Sequence, residues 1–147
     1  RAHNELLKTP EKKERDPDKS VETCVRFWTV LQENLPELED VVTGDAQAKT
    51  IKENYLYPYS IALQALASVA NELISINSNN WEEELSEISK IDWTRDNSDW
   101  EGRAMSGGRL STGGNNPTLT KNYFKLQLDM KLNEQEEHLE SILKNNV

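Results

Sequence analysis

The sequence predicts a mainly α-helical fold of about six helices, broken by one glycine-rich irregular stretch or small β-hairpin near 92–117. Three observations predict it. Apolar residues recur at helical spacing on both sides of that stretch. Residues that favour helix starts, Pro17, Pro58, Asn80, Pro117 and Asn133, stand where the periodic segments open. Five of the six glycines, Gly102, Gly107, Gly108, Gly113 and Gly114, fall where periodicity is lost.

In chain order, residues 1–19 are polar and charged and read as a linker or a severed helix end, with 20–147 as the helical domain. Asp16 is placed to cap a first helix and Pro17 fits its first position, where the missing N–H leaves nothing unbonded. Val21, Cys24, Val25, Trp28, Leu31 and Leu35 then make one apolar stripe, which Pro36 ends. A short helical turn is expected over 37–42, before Gly44. A second helix is expected over 45–57, with Ala48, Ile51, Tyr55 and Leu56 inward. The segment 59–76 is the most apolar of the chain and reads as the central helix; its alanines and Ser68 allow close neighbours.

Asn80 is placed to cap a helix opening at Trp81, with Leu85, Ile88 and Ile91 inward and Glu82, Glu83 and Glu84 in water near its positive end. Over 103–110 the chain is expected to turn back on itself at Gly107-Gly108. Helix resumes after Pro117 with Leu119, Tyr123, Leu126 and Met130 inward. A last helix opens at Asn133, which with Glu136 resembles a capping box, and buries Leu139, Ile142 and Leu143.

Composition excludes several classes. Hydrophobic residues make up 35% and charged residues 29%, so the core is thin. No apolar run reaches the roughly 20 residues of a membrane span; 61–76 is interrupted by Gln64, Ser68, Asn71 and Glu72. Cys24 is the single cysteine, so no disulfide scaffold exists, and a lone thiol suits a reducing cytoplasm, the expected location. The chain opens at Arg1 without a signal-peptide pattern and reads as a piece of a longer polypeptide.

No catalytic residue, metal ligand set or cofactor motif is predicted. His3 and His138 lack partners in the sequence, Cys24 sits on an apolar stripe, and the glycines match no phosphate-loop or dinucleotide fingerprint. The net charge of −9 argues against a simple nucleic-acid grip. Yet residues 102–131 hold Arg103, Arg109, Lys121, Lys125 and Lys131 against Asp129 alone, a net of +4, which leaves −13 for the other residues. Those cations either balance an acidic body from a surface loop or meet a phosphate backbone; Arg103, Arg109, Lys121 and Lys125 are the candidate DNA or phosphate contacts. Beside them Trp93, Arg95, Asn97, Trp100 and Glu101 form the densest cluster of costly residue types. They either fasten the loop to the core or form a recognition surface.

The run from Ile91 to Ala104, IDWTRDNSDWEGRA, resembles the tryptophan–arginine–asparagine segment of the DndB-like DNA sulfur modification proteins, within the wider DGQHR-domain family. The resemblance continues at Gly108-Arg109 and Thr118-Leu119-Thr120. Upstream it takes in Ser20-Val21, Phe27-Trp28, Leu35-Pro36 and the helix from Tyr59, covering about residues 20–137. The Asp-Gly-Gln-His-Arg motif itself is absent, so the chain is similar to the family's C-terminal portion, without the ParB-like N-terminal half. The resemblance implies a bacterial cytoplasmic protein tied to DNA phosphorothioation, a transcriptional regulator whose full-length form takes DNA as partner. It carries no catalytic residue onto this sequence. Two other roles stand beside it. One is a non-catalytic module that forms a homo-oligomer or braces the missing half. The other is part of an inter-domain nucleotide or enzymatic site, closed by the loop at 102–116 with Arg103, Arg109 and Asn116.

Overall fold

A computed structural model of the chain describes residues 17–35, 38, 48–77 and 79–145. Among them are six α-helices: α1 (Pro17–Asn34), α2 (Ala48–Asn54), α3 (Ser60–Ile76), α4 (Trp81–Leu85), α5 (Asn116–Gln127) and α6 (Glu134–Asn145). Strands β1 (Met105–Ser106) and β2 (Arg109–Leu110) pair antiparallel, Met105 opposite Leu110 and Ser106 opposite Arg109. The mainly α class with a small hairpin is therefore the observed one. The Asp16 cap, residues 1–16 of the expected linker, and the turn expected over 37–42, apart from a buried Leu38, lie outside the described residues. Among the described residues no helix is long and apolar enough to cross a membrane.

α3 is the central element. It buries Ile61, Ala62, Ala65, Leu66, Ala67, Val69, Ala70 and Leu73, and α4 and α5 pack against it. Burial on that many sides follows from a helix apolar around most of its circumference. α1 packs on α4 and on the 3-10 turn Ser86–Lys90 that continues it. The inward set there is Cys24, Phe27, Val30, Leu31 and Leu35; Val21 and Val25 are each 59% exposed and Trp28 is half-buried. The predicted stripe is thus rotated. Two neighbouring stripes satisfy the same spacing, and Phe27 with Val30 selects the inner one. Arg26 flanks it, ion-paired to Glu82 and 5.5 Å from the Trp81 ring.

α2 ends at Asn54, short of the expected 57, because the chain straightens to pair with the loop beyond α4. Leu56 N donates to Trp93 O at 2.9 Å and Arg95 N to Asn54 O at 2.9 Å, around a Tyr55–Thr94 bridge. Pro58 also disfavours helix at the residue before it. Asn80 holds the cap position of α4 without a side-chain cap bond; its carbonyl accepts from Glu84 N at 3.1 Å. Trp81, Leu85, Ile88 and Ile91 are buried as expected.

In α5 the inward set is Leu119, Thr120, Asn122, Tyr123, Phe124 and Lys125, with Leu126 turned out at 45% exposure. The predicted Leu126 is displaced by Phe124 because α5 lies between α3 and α6 and is covered on two sides. The capping box of α6 forms: Glu136 N donates to Asn133 Oδ1 at 2.8 Å and Asn133 N to Glu136 Oε1 at 2.9 Å. Its expected apolar face is shallower than predicted. Ile142 is 44% exposed, Leu139 and Leu143 are half-buried, and Glu136 is the buried residue of the helix.

Candidate functional site

The irregular stretch is held by indoles. Trp93 is buried with its Nε1 donating to Ile88 O at 2.9 Å, and Trp100 is fully buried with its Nε1 donating to Thr94 O at 3.1 Å. Their rings lie 5.7 Å apart; Phe124 sits 5.4 Å from Trp93, and Tyr123 lies 4.8 Å from Trp100. Two of the segment's own side chains thereby anchor it on α5, with each indole N–H satisfied.

Polar side chains set the turns between these anchors. Asp92 Oδ1 accepts from Thr94 N and Oγ1. Asn97 donates to Asp92 O at 2.8 Å and accepts from Asp99 N at 3.0 Å. Arg95 lies 5.5 Å from the Tyr59 ring and donates to its hydroxyl at 3.3 Å. Glu101 accepts from Gly107 N at 2.8 Å, clipping the base of the hairpin to its turn. Gly107 and Gly108 hold φ of 58° and 82°, the pair of positive values that a two-residue hairpin turn needs.

The four candidate cations have different settings. Arg109 stands on β2, exposed, and its side chain has no hydrogen bond or ion pair among the described residues. Arg103 is held. Its guanidinium forks onto Glu140, Nη1 to Oε2 at 2.8 Å and Nη2 to Oε1 at 2.7 Å, and Nη1 also donates to Leu119 O at 2.7 Å. It lies 5.5 Å from the Tyr123 ring. Asn116 Nδ2 donates to Arg103 O, which ties the hairpin base to the start of α5.

Lys121 and Lys125 join a four-membered ionic network with Glu72 of α3 and Glu136 of α6. Lys125 Nζ is 3.0 Å from Glu72 Oε1 and 2.8 Å from Glu136 Oε1; Lys121 Nζ is 3.1 Å from Glu72 Oε2 and 3.4 Å from Glu136 Oε2. Lys125 is 2% exposed and Glu136 3%. Burial opposes both charges, but the mutual hydrogen bonds prevail. They raise the Lys125 pKa and, together with the Asn133 N–H, lower that of Glu136. Tyr123 is pushed up to about 12 by burial and by its 3.0 Å bond to Asp99.

The carboxylates Glu72, Glu136 and Glu140, and the buried Asn122, were missing from the sequence-derived set. Asn122 donates to Glu140 Oε2 at 3.2 Å and to Glu136 O at 3.3 Å. One sequence signal points to the pair on α6: Glu136 and Glu140 are four apart and share a helix face.

Two clefts flank this assembly. One, of about 640 Å³, runs between α3 and the start of α5 past Gln64, Ser68, Leu110, Thr118 and Lys121. The other, of about 810 Å³, lies along α6 past Asp99, Glu101, Arg103, Tyr123 and Glu140. Neither brings Arg103, Arg109 and Asn116 together, the set on which an inter-domain nucleotide site was expected. No group of three His, Cys, Asp or Glu side chains able to hold a metal ion occurs among the described residues.

Compared with known proteins, residues 1–131 match the family described as DndB, DNA-sulfur modification-associated; the matched stretch stops before α6. No curated protein and no solved structure matches the chain.

Proposed function

The chain belongs to the DndB, DNA-sulfur modification-associated, family, and we propose that it is the helical module of a DNA-binding transcriptional regulator of the phosphorothioation system. DNA is the partner, met in the cytoplasm, and Arg109 is the residue of this module that meets a phosphate first. The observation that carries this reading is the setting of Arg109. It is an exposed, unengaged cation among the described residues, on a hairpin whose glycine turn is clipped by Glu101 and whose base is fixed by Trp100. The backbone that carries it is already fixed, so binding a phosphate orders the side chain alone.

The net charge of −9 weakens any grip without abolishing it. At physiological salt, charges beyond roughly 8 Å are largely screened, so the cations nearest the phosphate dominate. The module is therefore an accessory contact, and the principal grip belongs to other parts of the protein. The test is duplex binding by the full-length protein across a salt series. Arg109→Ala lowers affinity and makes the salt slope shallower by about 1, one phosphate contact. Unchanged affinity and slope would overturn the reading.

A second reading has its own observation. Val21 and Val25 are each 59% exposed beside the half-buried Trp28 on α1, an apolar strip suited to a second copy of the chain. Sedimentation of the wild type and of Val21→Ser/Val25→Ser decides it; a wild type that stays monomeric at high concentration excludes self-association.

A further inference from the structure

We propose that α6 is a displaceable anionic mask, and that Glu140 and Glu136 occupy places that DNA phosphate oxygens take when α6 moves aside. The proposal rests on the DNA-contact reading and adds a regulated second contact, formed by Arg103, Lys121 and Lys125 with the Asn122 amide.

The cradle around Glu140 is built for an oxyanion. Two guanidinium nitrogens and the Asn122 Nδ2 converge on one carboxylate at 2.7, 2.8 and 3.2 Å. A planar fork that accepts a carboxylate in this way accepts two phosphate oxygens equally well. Asn122 is fully buried, and its Nδ2 divides between the Glu140 carboxylate at 3.2 Å and the Glu136 carbonyl at 3.3 Å. Next to it, Lys121 and Lys125 supply two ammonium groups facing Glu136.

α6 is attached chiefly by charge. Its buried residue is Glu136, and its apolar side chains are half-buried or, like Ile142, exposed. It carries Glu134, Glu136, Glu137 and Glu140 against Lys144, opposite in sign to the segment it covers. A helix held by a deep apolar face leaves only by breaking the core. One held by carboxylates on cations can be exchanged for another polyanion that supplies the same oxyanions. When α6 leaves, Glu72 still faces Lys121 and Lys125, so those ammonium groups keep a partner while Arg103 is freed.

The test uses the full-length protein and a short DNA duplex. Glu140→Gln keeps the side-chain shape and removes the charge on Arg103; Glu137→Gln removes an exposed charge from the same helix without touching Arg103. Glu140→Gln should tighten duplex binding by about fivefold and steepen the salt slope by about 1, with Glu137→Gln well below that. In the wild type, saturating duplex should speed hydrogen exchange of the α6 amides, a measurement that stands even if Glu140→Gln misfolds. Equal tightening by both variants, or α6 amides as protected with DNA as without, overturns the mask. If Arg109→Ala still weakens binding in that case, the DNA-contact reading survives alone. If Arg109→Ala leaves affinity and salt slope unchanged, the DNA reading itself fails and the mask with it.

Discussion

Lys125 Nζ stands 2.8 Å from Glu136 Oε1 in the interior, both side chains almost wholly removed from water. A buried pair of this kind adds little net stability when intact, yet losing one partner leaves the other charge stranded. It joins three helices, because Glu72 on α3 meets the same ammonium from the other side. The arrangement fixes how α5 and α6 lie against the central helix.

The first prediction is a pH profile. Glu136 has its folded pKa lowered below the usual 4.5, so its contribution is present above the unfolded value and is lost as pH falls through the folded one. Lys125 has its folded pKa raised above 10.5, so its contribution is present below that value and fades as pH rises through the folded one. Tyr123, raised from 10.0 to about 12, adds to the alkaline loss over that interval. Urea unfolding across pH should therefore give a plateau with both an acid and an alkaline limb. In Glu136→Gln the acid limb below pH 4.5 should be shallower; an identical slope would refute the assignment.

The second prediction concerns Trp100, which has no exposed surface and bonds Thr94 O through Nε1. Trp100→Ala removes the ring on which Trp93, Tyr123 and Phe124 close. It should cost about 3–5 kcal/mol in urea unfolding. Trp100→Phe keeps much of the ring and loses only the indole bond to Thr94 O, which still accepts from Asn97 N at 3.1 Å, so it should cost about 0.5–1.5 kcal/mol. Against a total of roughly 5–15 kcal/mol, the alanine variant sits near the edge of folding.

How far the sequence carried depended on the range of the interaction. The Asn133–Glu136 capping box and the Gly107-Gly108 turn are written within a few residues, and both form as expected. The central helix was legible because its apolar circumference admits no other place. Two shifted faces had no such local signature. On α1 the rival stripes share one spacing, and only packing against α4 chooses between them. On α5 the burial of Lys125 depends on carboxylates 11 and 53 residues away. The same holds for Arg103, whose partner Glu140 lies 37 residues on, so the cation was visible in sequence and its engagement was not.

A third prediction separates the two arginines of the hairpin segment by stability. The Arg103 side chain is 12% exposed and makes the Glu140 fork, a bond to Leu119 O and a face contact with Tyr123. Arg103→Ala should cost about 2–3 kcal/mol, and Arg103→Lys a large part of that, since an ammonium cannot form the fork. Arg109→Ala should stay within about 0.5 kcal/mol of wild type. Thermal melts of the three variants check this; equal losses at 103 and 109 would contradict the difference in their surroundings.

The last prediction compares two glycines with the same backbone demand. Gly102 and Gly108 have φ of 81° and 82°, a region in which a Cβ is strained wherever it occurs. At Gly108 nothing lies within 4 Å of the added atom, so Gly108→Ala should cost only the backbone strain, about 1–2 kcal/mol. At Gly102 the added methyl runs into Leu143 Cδ1 of α6. The Leu143 side chain can turn away, but doing so gives up one of the few apolar contacts that hold α6. Gly102→Ala should therefore lose more stability than Gly108→Ala and also speed hydrogen exchange in the α6 amides, which Gly108→Ala should leave unchanged. Equal α6 protection in the two variants would mean that Leu143 contributes nothing to docking the helix, leaving its carboxylates to do so alone.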